Sequence, residues 1–441
     1  MEPIRTEFED FVDNQFAVDL PFKDLVVSTL SNLDIPVRPQ ATIEDTDKKL
    51  GLALITLEKG SLTAAEPGLR DKYGEGAIEA QPPVYKNLPG KPRTPATIPV
   101  LDVVLHALRS EFGEQFKGWS PAMGKNRIAD GIEGRPGISG GGGGAPGLPD
   151  DTSIPATFAP RPNAGQEVRI GILDTRLYTH PALAGKHFTP DEDLLTDKEL
   201  QKLSGSIRQA AGHATFIAGL IAERAPRAQL IIHHALNDEE ATAPLWNAAK
   251  AMMKFESKVQ ILNMSWIYLT ADHEPSLILS RAIDRLSPNT LLVAAAGNHG
   301  VVVPQPDSIV LPENRPVQPA AIPGVVAVGA FEHGKPAAFS PKKAPWISLG
   351  APGSRVVSTY LKGTVKVDQF DQQGVLTGVQ DTTFETGLAQ WSGTSFATAN
   401  VCGEIAARMT ASRQRRPTAQ EVADELMEGV ADSDVQPYPR T

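Results

Sequence analysis

Beyond residue 163 the apolar positions of the chain alternate between short unbroken runs and stripes at helical spacing. Residues 168–173, 229–232, 259–264 and 291–296 are apolar runs bounded by polar or turn-forming residues, and 325–329 and 347–349 are shorter runs of the same kind. Such runs predict strands buried on both faces. Between them, residues 213–224, 243–255 and 276–286 carry helical apolar stripes, and an alanine-rich helix-forming run follows Ser395. Strands alternating with helices predict right-handed βαβ units. The expected fold class is α/β, a doubly wound, mostly parallel sheet with helices on both faces.

The first third of the chain has a different rhythm. Residues 21–33 read as a helix, with Leu25, Val26, Val27, Leu30 and Leu33 apolar; 50–57 read as a buried strand and 100–112 as a second helix. Residues 66–99 are rich in Pro and Gly and are expected to be irregular. A small α+β domain is therefore expected over residues 1–136. A Gly/Pro-rich linker follows over 137–163, because the five glycines of 140–144 cannot hold a regular element at acceptable entropic cost. The α/β domain is expected over 164–432, with a C-terminal tail over 433–441.

Composition narrows the partners. The 441 residues are 41% hydrophobic and 21% charged, which is enough apolar material for a packed core. The formal net charge is −10 and no Lys/Arg-rich run occurs, which argues against nucleic acid and anionic membrane as partners. Cys402 is the single cysteine, so no internal disulfide can form, and its place behind Ser395 reads as a small packing residue. The acidic start of the chain has no apolar leader core, and no stretch approaches the roughly 20 apolar residues of a membrane span. A cytoplasmic location is the expectation.

Candidate chemistry sits where an open α/β sheet gathers it, at the carboxyl ends of strands. Asp174 ends the run 168–173, and Asn298 follows 291–296. His213 and Ser395 each open a helix-forming run. Singly, each has an ordinary structural reading as a cap or turn residue. Together they supply an acid, an imidazole, an amide and a hydroxyl, the set needed for nucleophilic acyl transfer.

In order, Ile172-Leu173-Asp174-Thr175, Gly212-His213-Ala214-Thr215, Ala295-Ala296-Gly297-Asn298 and Gly393-Thr394-Ser395 resemble the four signatures of the subtilisin-like serine peptidases, the subtilases. Leu262-Asn263-Met264-Ser265, Phe339-Ser340 and Ala351-Pro352-Gly353 are similar to smaller family segments, and the resemblance spans about residues 167–430. The resemblance implies a serine endopeptidase with Ser395 as nucleophile, His213 as general base and acid, and Asp174 as the orienting carboxylate. It also implies an oxyanion site from Asn298 and the Ser395 N–H. Ser265, Trp266 and Ile267 on one side, and Ala295, Ala296 and Gly297 on the other, would flank an extended protein or peptide substrate. No cofactor is implied; a structural calcium stays open.

Several positions depart from the family pattern. Arg176 stands in place of a usual glycine, Ala214 replaces the glycine after the histidine, and Ala399 and Asn400 replace Pro and His behind the nucleophile. Trp266 and Ile267 replace small residues, and this bulk is expected to reshape the primary pocket. Residues 362–390 are long for the family and are read as an added hairpin. His233 and His234 point to opposite strand faces, which suits structural roles better than a shared metal. Asp191, Glu192 and Asp193 read as a solvated acidic loop rather than a calcium site. Family analogy favours a regulatory or inhibitory N-terminal domain, with its tail in the cleft. The alternatives are a dedicated peptide-maturation protease or acyl transferase, and a pseudoprotease that binds peptides without cutting.

Overall fold

The computed structural model describes residues 4–5, 10–37, 45–74, 98–131, 138–139, 144–151, 153, 161–202, 206–255, 258–270, 273–300, 309–310, 312–370, 376–410 and 416–439. Of the expected linker, residues 137, 140–143, 152 and 154–160 lie outside the described residues. The principal strands are β1 (Asp10–Asp19), β2 (Leu52–Thr56), β3 (Met123–Gly131), β4 (Arg169–Asp174), β5 (Gln229–His234), β6 (Ile261–Met264), β7 (Trp266–Ile267), β8 (Leu291–Ala295), β9 (Val325–Glu332), β10 (Leu349–Pro352), β11 (Gly363–Phe370), β12 (Leu376–Phe384) and β13 (Gln436–Pro437). The principal helices are α1 (Lys23–Asn32), α2 (Lys59–Tyr73), α3 (Val100–Gln115), α4 (His213–Arg224), α5 (Leu245–Met252), α6 (Leu277–Arg285), α7 (Thr394–Met409) and α8 (Ala419–Glu428).

The chain divides into two compact units. The first holds Met1–Ile128 together with Pro244–Met253 and Tyr268–Arg285. In it β1 is the central strand, antiparallel to β2 on one side and to β3 on the other. Phe11, Phe16 and Val18 of β1 and Ile55 of β2 pack with Val26 and Leu30 of α1 and with Leu101, Val104, Leu108 and Phe112 of α3. Helices α5 and α6, distant in sequence, belong to this unit. Asn126 Oδ1 accepts the Trp246 N–H (3.0 Å), and Arg281 pairs with Asp19 (2.6 Å). The irregular stretch expected from residue 66 begins later, because α2 continues to Tyr73 with Pro67 inside it. Glu66 holds Arg70 one turn on (2.8 Å). Residues 75–97 lie outside the described residues.

The second unit carries the large sheet, in the order β5-β4-β6-β8-β9-β10-β13. Neighbours are parallel from β5 through β10, β13 runs antiparallel, and the short strand Lys335–Pro336 adds a further antiparallel pairing to the end of β9. The apolar runs read from the sequence are these buried strands, except that the run expected over 347–349 begins its strand only at Leu349 and continues to Pro352. Helices α4 and α7 join their core, through Phe216, Ile217 and Ile221 on one and Phe396, Val401 and Ile405 on the other. Residues near the C-terminus are built into the sheet: β13 pairs with Leu349 and Gly350, and Tyr438 donates to the Pro341 carbonyl (2.7 Å). β11 and β12 form the added hairpin, and Asp368 on it holds Arg208 (2.7 Å).

A buried ionic network stitches α4, α7 and the C-terminal segment. Arg224 is 3% exposed. Its guanidinium meets both oxygens of Asp434 (2.8 and 2.7 Å), and its Nε donates to Asn400 Oδ1 (2.6 Å). Asn400 in turn donates to the Pro352 carbonyl (2.8 Å), so this departure from the family pattern has a structural partner set of its own. Glu404 is shared by Arg408 (2.6 Å) and Arg161 (3.3 Å).

Two further readings are refined. Asp193 is not solvated: it is 1% exposed and its carboxylate meets His233 Nδ1 (2.8 Å) and the His234 N–H (3.1 Å). The same strand leaves His234 exposed, as opposite-face alternation requires. Cys402 is fully buried, and burial pushes its thiol up to about 12, so no reactive thiolate forms at neutral pH.

Candidate active site

Four chain segments meet at the carboxyl edge of the large sheet. Asp174 is the last residue of β4, clamped between β5 and β6, and is fully buried. Its carboxylate accepts the Thr175 N–H (2.8 Å) and faces His213 Nδ1 at 2.9 and 3.1 Å through its two oxygens. A carboxylate can only accept here, so Nδ1 carries the proton and Nε2 is the basic edge of the neutral ring. His213 opens α4 and is 1% exposed. Its ring packs against Trp391 and Phe396, with centroids 5.7 Å away in each case. The preceding Gly212 admits no side chain, because a Cβ there would lie 2.1 Å from the Tyr360 ring. Tyr360 is held in turn by its hydroxyl, which donates to the Gln209 carbonyl (2.8 Å).

Ser395 is the second residue of α7, where unpaired N–H groups and the positive dipole end converge. Its Oγ is 3.4 Å from the Ser265 carbonyl, and Ser265 Oγ donates to Asn263 Oδ1 (2.9 Å). Asn298 follows β8. Its Oδ1 accepts from the Thr394 N–H (2.9 Å) and the Thr394 hydroxyl (3.1 Å), and that hydroxyl accepts the Gly297 N–H (3.1 Å). These acceptor duties assign Nδ2 as the donor edge of the amide. A Cβ on Gly393 would come 3.6 Å from Nδ2, which puts that donor edge at the mouth of α7. The wiring role of Thr394 was carried in the Gly-Thr-Ser string but was not separable there from an ordinary turn.

The expected substrate-binding residues divide. Trp266 and Ile267 form β7, antiparallel to the end of β3, with Trp266 opposite Gly131 and Ile267 opposite Asp130. All four residues belong to the second unit. Trp266 is fully buried and Ile267 is 2% exposed. On the other side of residues 130–131 the flank is Ala241, whose carbonyl accepts the Gly131 N–H (2.6 Å). Residues 295–297 have other backbone partners. Ala295 pairs with Val328, the Ala296 N–H donates to the Val328 carbonyl (2.9 Å), and Gly297 is tied to Thr394. Arg176 is anchored by Asp238 (2.6 Å) and Glu199 (2.8 Å), which ties the chain just after Asp174 to the turn that leads to Ala241.

His299, next to Asn298, is a buried titratable group that the sequence reading passed over. Its Nε2–H donates to the Arg315 carbonyl (2.9 Å), and Nδ1 has no hydrogen-bond partner among the described residues. Burial pushes its pKa from 6.5 down to about 4. Below pH 6.5 the unfolded chain takes a proton that the fold refuses, so stability falls as pH drops from 6.5 to about 4 and is unaffected by this group above 6.5. The full loss is about 3 kcal/mol. His299→Gln, which keeps an N–H donor, is expected to flatten that acid limb in denaturant titrations at pH 7.5 and 4.5. An unchanged limb would assign it to other groups.

Among the described residues, no group of three or more His, Cys, Asp or Glu side chains is arranged to hold a metal ion, and no helix is long and apolar enough to cross a membrane.

The Subtilase family model matches residues 165–436. The chain is 28% identical over 219 residues to a thermophilic serine proteinase of Bacillus sp. (strain AK1), covering 46% of this chain and 49% of that protein. It is 27% identical over 258 residues to an intracellular serine protease of Paenibacillus polymyxa, covering 55% and 66%. The matched stretch thus spans about half the length of the first of these relatives. Among solved structures it is similar to the prenylagaramide maturation protease PagA, at 24% identity and TM-score 0.44, covering 62% of this chain and 84% of that one. With the family model matched over more than half of its length, the chain belongs to the subtilase family of serine proteases.

Proposed function

We propose that the protein is a serine endopeptidase whose catalytic groups are Asp174, His213 and Ser395, with Asn298 in the oxyanion site, and that its own N-terminal region restrains it. The observation that carries the catalytic reading is the buried Asp174–His213 pair, 2.9 Å, which sets the ring tautomer with its base edge on Nε2. In this reading Ser395 Oγ forms a bond to the scissile carbonyl carbon as His213 Nε2 takes the hydroxyl proton. The carbonyl oxygen becomes an oxyanion between Asn298 Nδ2 and the Ser395 N–H. The C–N bond then breaks, His213 gives its proton to the departing amine, and water repeats the sequence on the acyl-enzyme. Asp174 keeps its negative charge throughout and stabilises the imidazolium.

Restraint rests on the strand pairing of Asp130–Gly131 with Trp266–Ile267. An extended peptide recognised by β-pairing would use the same edge. The antiparallel register runs toward Ser265, whose carbonyl lies 3.4 Å from the Ser395 Oγ. A segment held there excludes a second peptide from the edge beside the nucleophile.

The experiment is proteome-wide cleavage mapping with the wild-type chain against Ser395→Ala, with the mass of each purified chain followed over time. New peptide termini are expected only with the wild type. Equal termini in both samples would refute the assignment of Ser395.

A further inference from the structure

Gly131 occupies a position that a larger residue cannot share. An ideal Cβ built on it would lie 2.6 Å from the Ala241 Cβ and 3.1 Å from the Ala241 carbonyl oxygen. The first distance is closer than real Cβ atoms approach, and a methyl carbon has no torsion by which to swing aside. Trp266, opposite Gly131 across the ladder, is fully buried, so the strand is enclosed on that side as well.

Ala241 is in no position to retreat. It is itself fully buried and holds φ at +51°, a conformation that turns its carbonyl toward the Gly131 N–H. The turn that carries it is closed from several directions. The Ala241 N–H donates to the Asn237 carbonyl (3.0 Å), and Asn237 Nδ2 donates to the Thr242 carbonyl (2.7 Å). Asn237 Oδ1 accepts the N–H groups of Glu239 (3.0 Å) and Glu240 (2.8 Å). Asp238 is pinned by Arg176, whose N–H and Nε both donate to its carboxylate (3.1 and 2.6 Å). Arg176 is thereby a positioning residue for the turn. Bringing the strand close enough for a 2.6 Å N–H···O contact while filling the space above it with a methyl group leaves room for a hydrogen atom only.

We propose that Ala241 is a specificity-determining residue that restricts the peptide position opposite Trp266 to glycine. The inference rests on the reading that residues 130–131 lie where a substrate strand lies. The substrates it names are peptides with glycine at that position, on the acyl side of the cleaved bond. Rejection comes from a built clash rather than from a missing contact, so discrimination against alanine is about tenfold or more.

The test uses the full chain and the rate at which a peptidyl phosphonate probe labels it, since such a probe needs both the nucleophile and the strand edge. Wild type, Gly131→Ala, Gly131→Trp and the double variant Gly131→Ala with Ala241→Gly are compared, each with a thermal melt. Gly131→Ala and Gly131→Trp are expected to label about tenfold faster than wild type, because their own segment is expelled. A gain of this kind cannot come from misfolding. The double variant is expected to return to the slow rate with its melt preserved, because removing the Ala241 methyl readmits alanine. If Gly131→Trp is released and Gly131→Ala is not, the restriction to glycine is wrong while occupancy of the edge stands. If Gly131→Ala is released and the Ala241→Gly change does not restore it, Ala241 is not the discriminator. If Gly131→Trp labels like wild type, or no variant labels, the underlying reading of the site fails.

Discussion

Asp174→Asn is expected to fold normally and to lose about 10⁴-fold in kcat, the size of effect seen when the orienting carboxylate of such triads is replaced. The reason lies in what an amide can present to His213. Both oxygens of Asp174 face Nδ1, at 2.9 and 3.1 Å, and one of them also accepts the Thr175 N–H. An asparagine that keeps its oxygen on Thr175 turns an N–H₂ toward the ring. Nδ1 must then accept, the ring proton moves to Nε2, and the edge that should take the Ser395 proton is already protonated. The imidazolium also loses its counter-charge in a site closed to water, since Asp174 is fully buried and His213 only 1% exposed. Together these raise the barrier by about 5 kcal/mol. Stability should change little, because the shape is unchanged and a buried charge is removed. Steady-state kinetics beside a thermal melt check this. A variant within tenfold of wild type would mean that Asp174 does not set the tautomer.

Arg224→Met is expected to be the most destabilising single change outside the site, by about 3–5 kcal/mol, which lowers Tm by roughly 10 °C. The guanidinium is almost wholly buried and serves Asp434 through both terminal nitrogens and Asn400 through Nε. Methionine fills the stem but leaves the Asp434 carboxylate and Asn400 Oδ1 without their donor, and Glu404 loses a cation 3.7 Å away. Removing one partner of a largely buried ion pair costs more than the intact pair contributes. Because Asn400 and Glu404 lie on α7 behind Ser395, the loss should loosen the helix that presents the nucleophile. Asn400→Ala, which removes a neutral partner, should cost about 1–3 kcal/mol. Calorimetry distinguishes the two. An Arg224→Met chain that melts within 1 °C of wild type, set against the shift expected above, would show that the network contributes nothing.

The contrast between these two regions shows what the chain reveals on its face. The large sheet was legible because buried parallel strands are unbroken apolar runs, and Asp174 and Asn298 follow two of them. His213 and Ser395 open helices of ordinary apolar periodicity. The strand β3 was not legible: Met123-Gly124-Lys125-Asn126-Arg127 has no apolar alternation. It is a strand because its buried polar groups find distant partners, Lys125 with Asp102 (2.7 Å) and Asn126 with Gln15 (2.8 Å). The Arg224 network was hidden for the same reason. Asp434 is 210 residues away in sequence, and long-range ion pairs leave no local pattern. Asp193 departs from the solvated loop its neighbours suggest, because its partner His233 lies on a strand 40 residues on. The bulk at Trp266 and Ile267 was visible as a departure. Their pairing with residues 130–131 depends on a fold contact that no window of sequence contains.

Activation of Ser395 as a nucleophile is read out by mass spectrometry of the fluorophosphonate-treated chain. A single covalent adduct on Ser395 is expected, abolished by Ser395→Ala and strongly slowed by Asp174→Asn. An unlabelled wild-type chain, or an adduct that persists in Ser395→Ala, would contradict it.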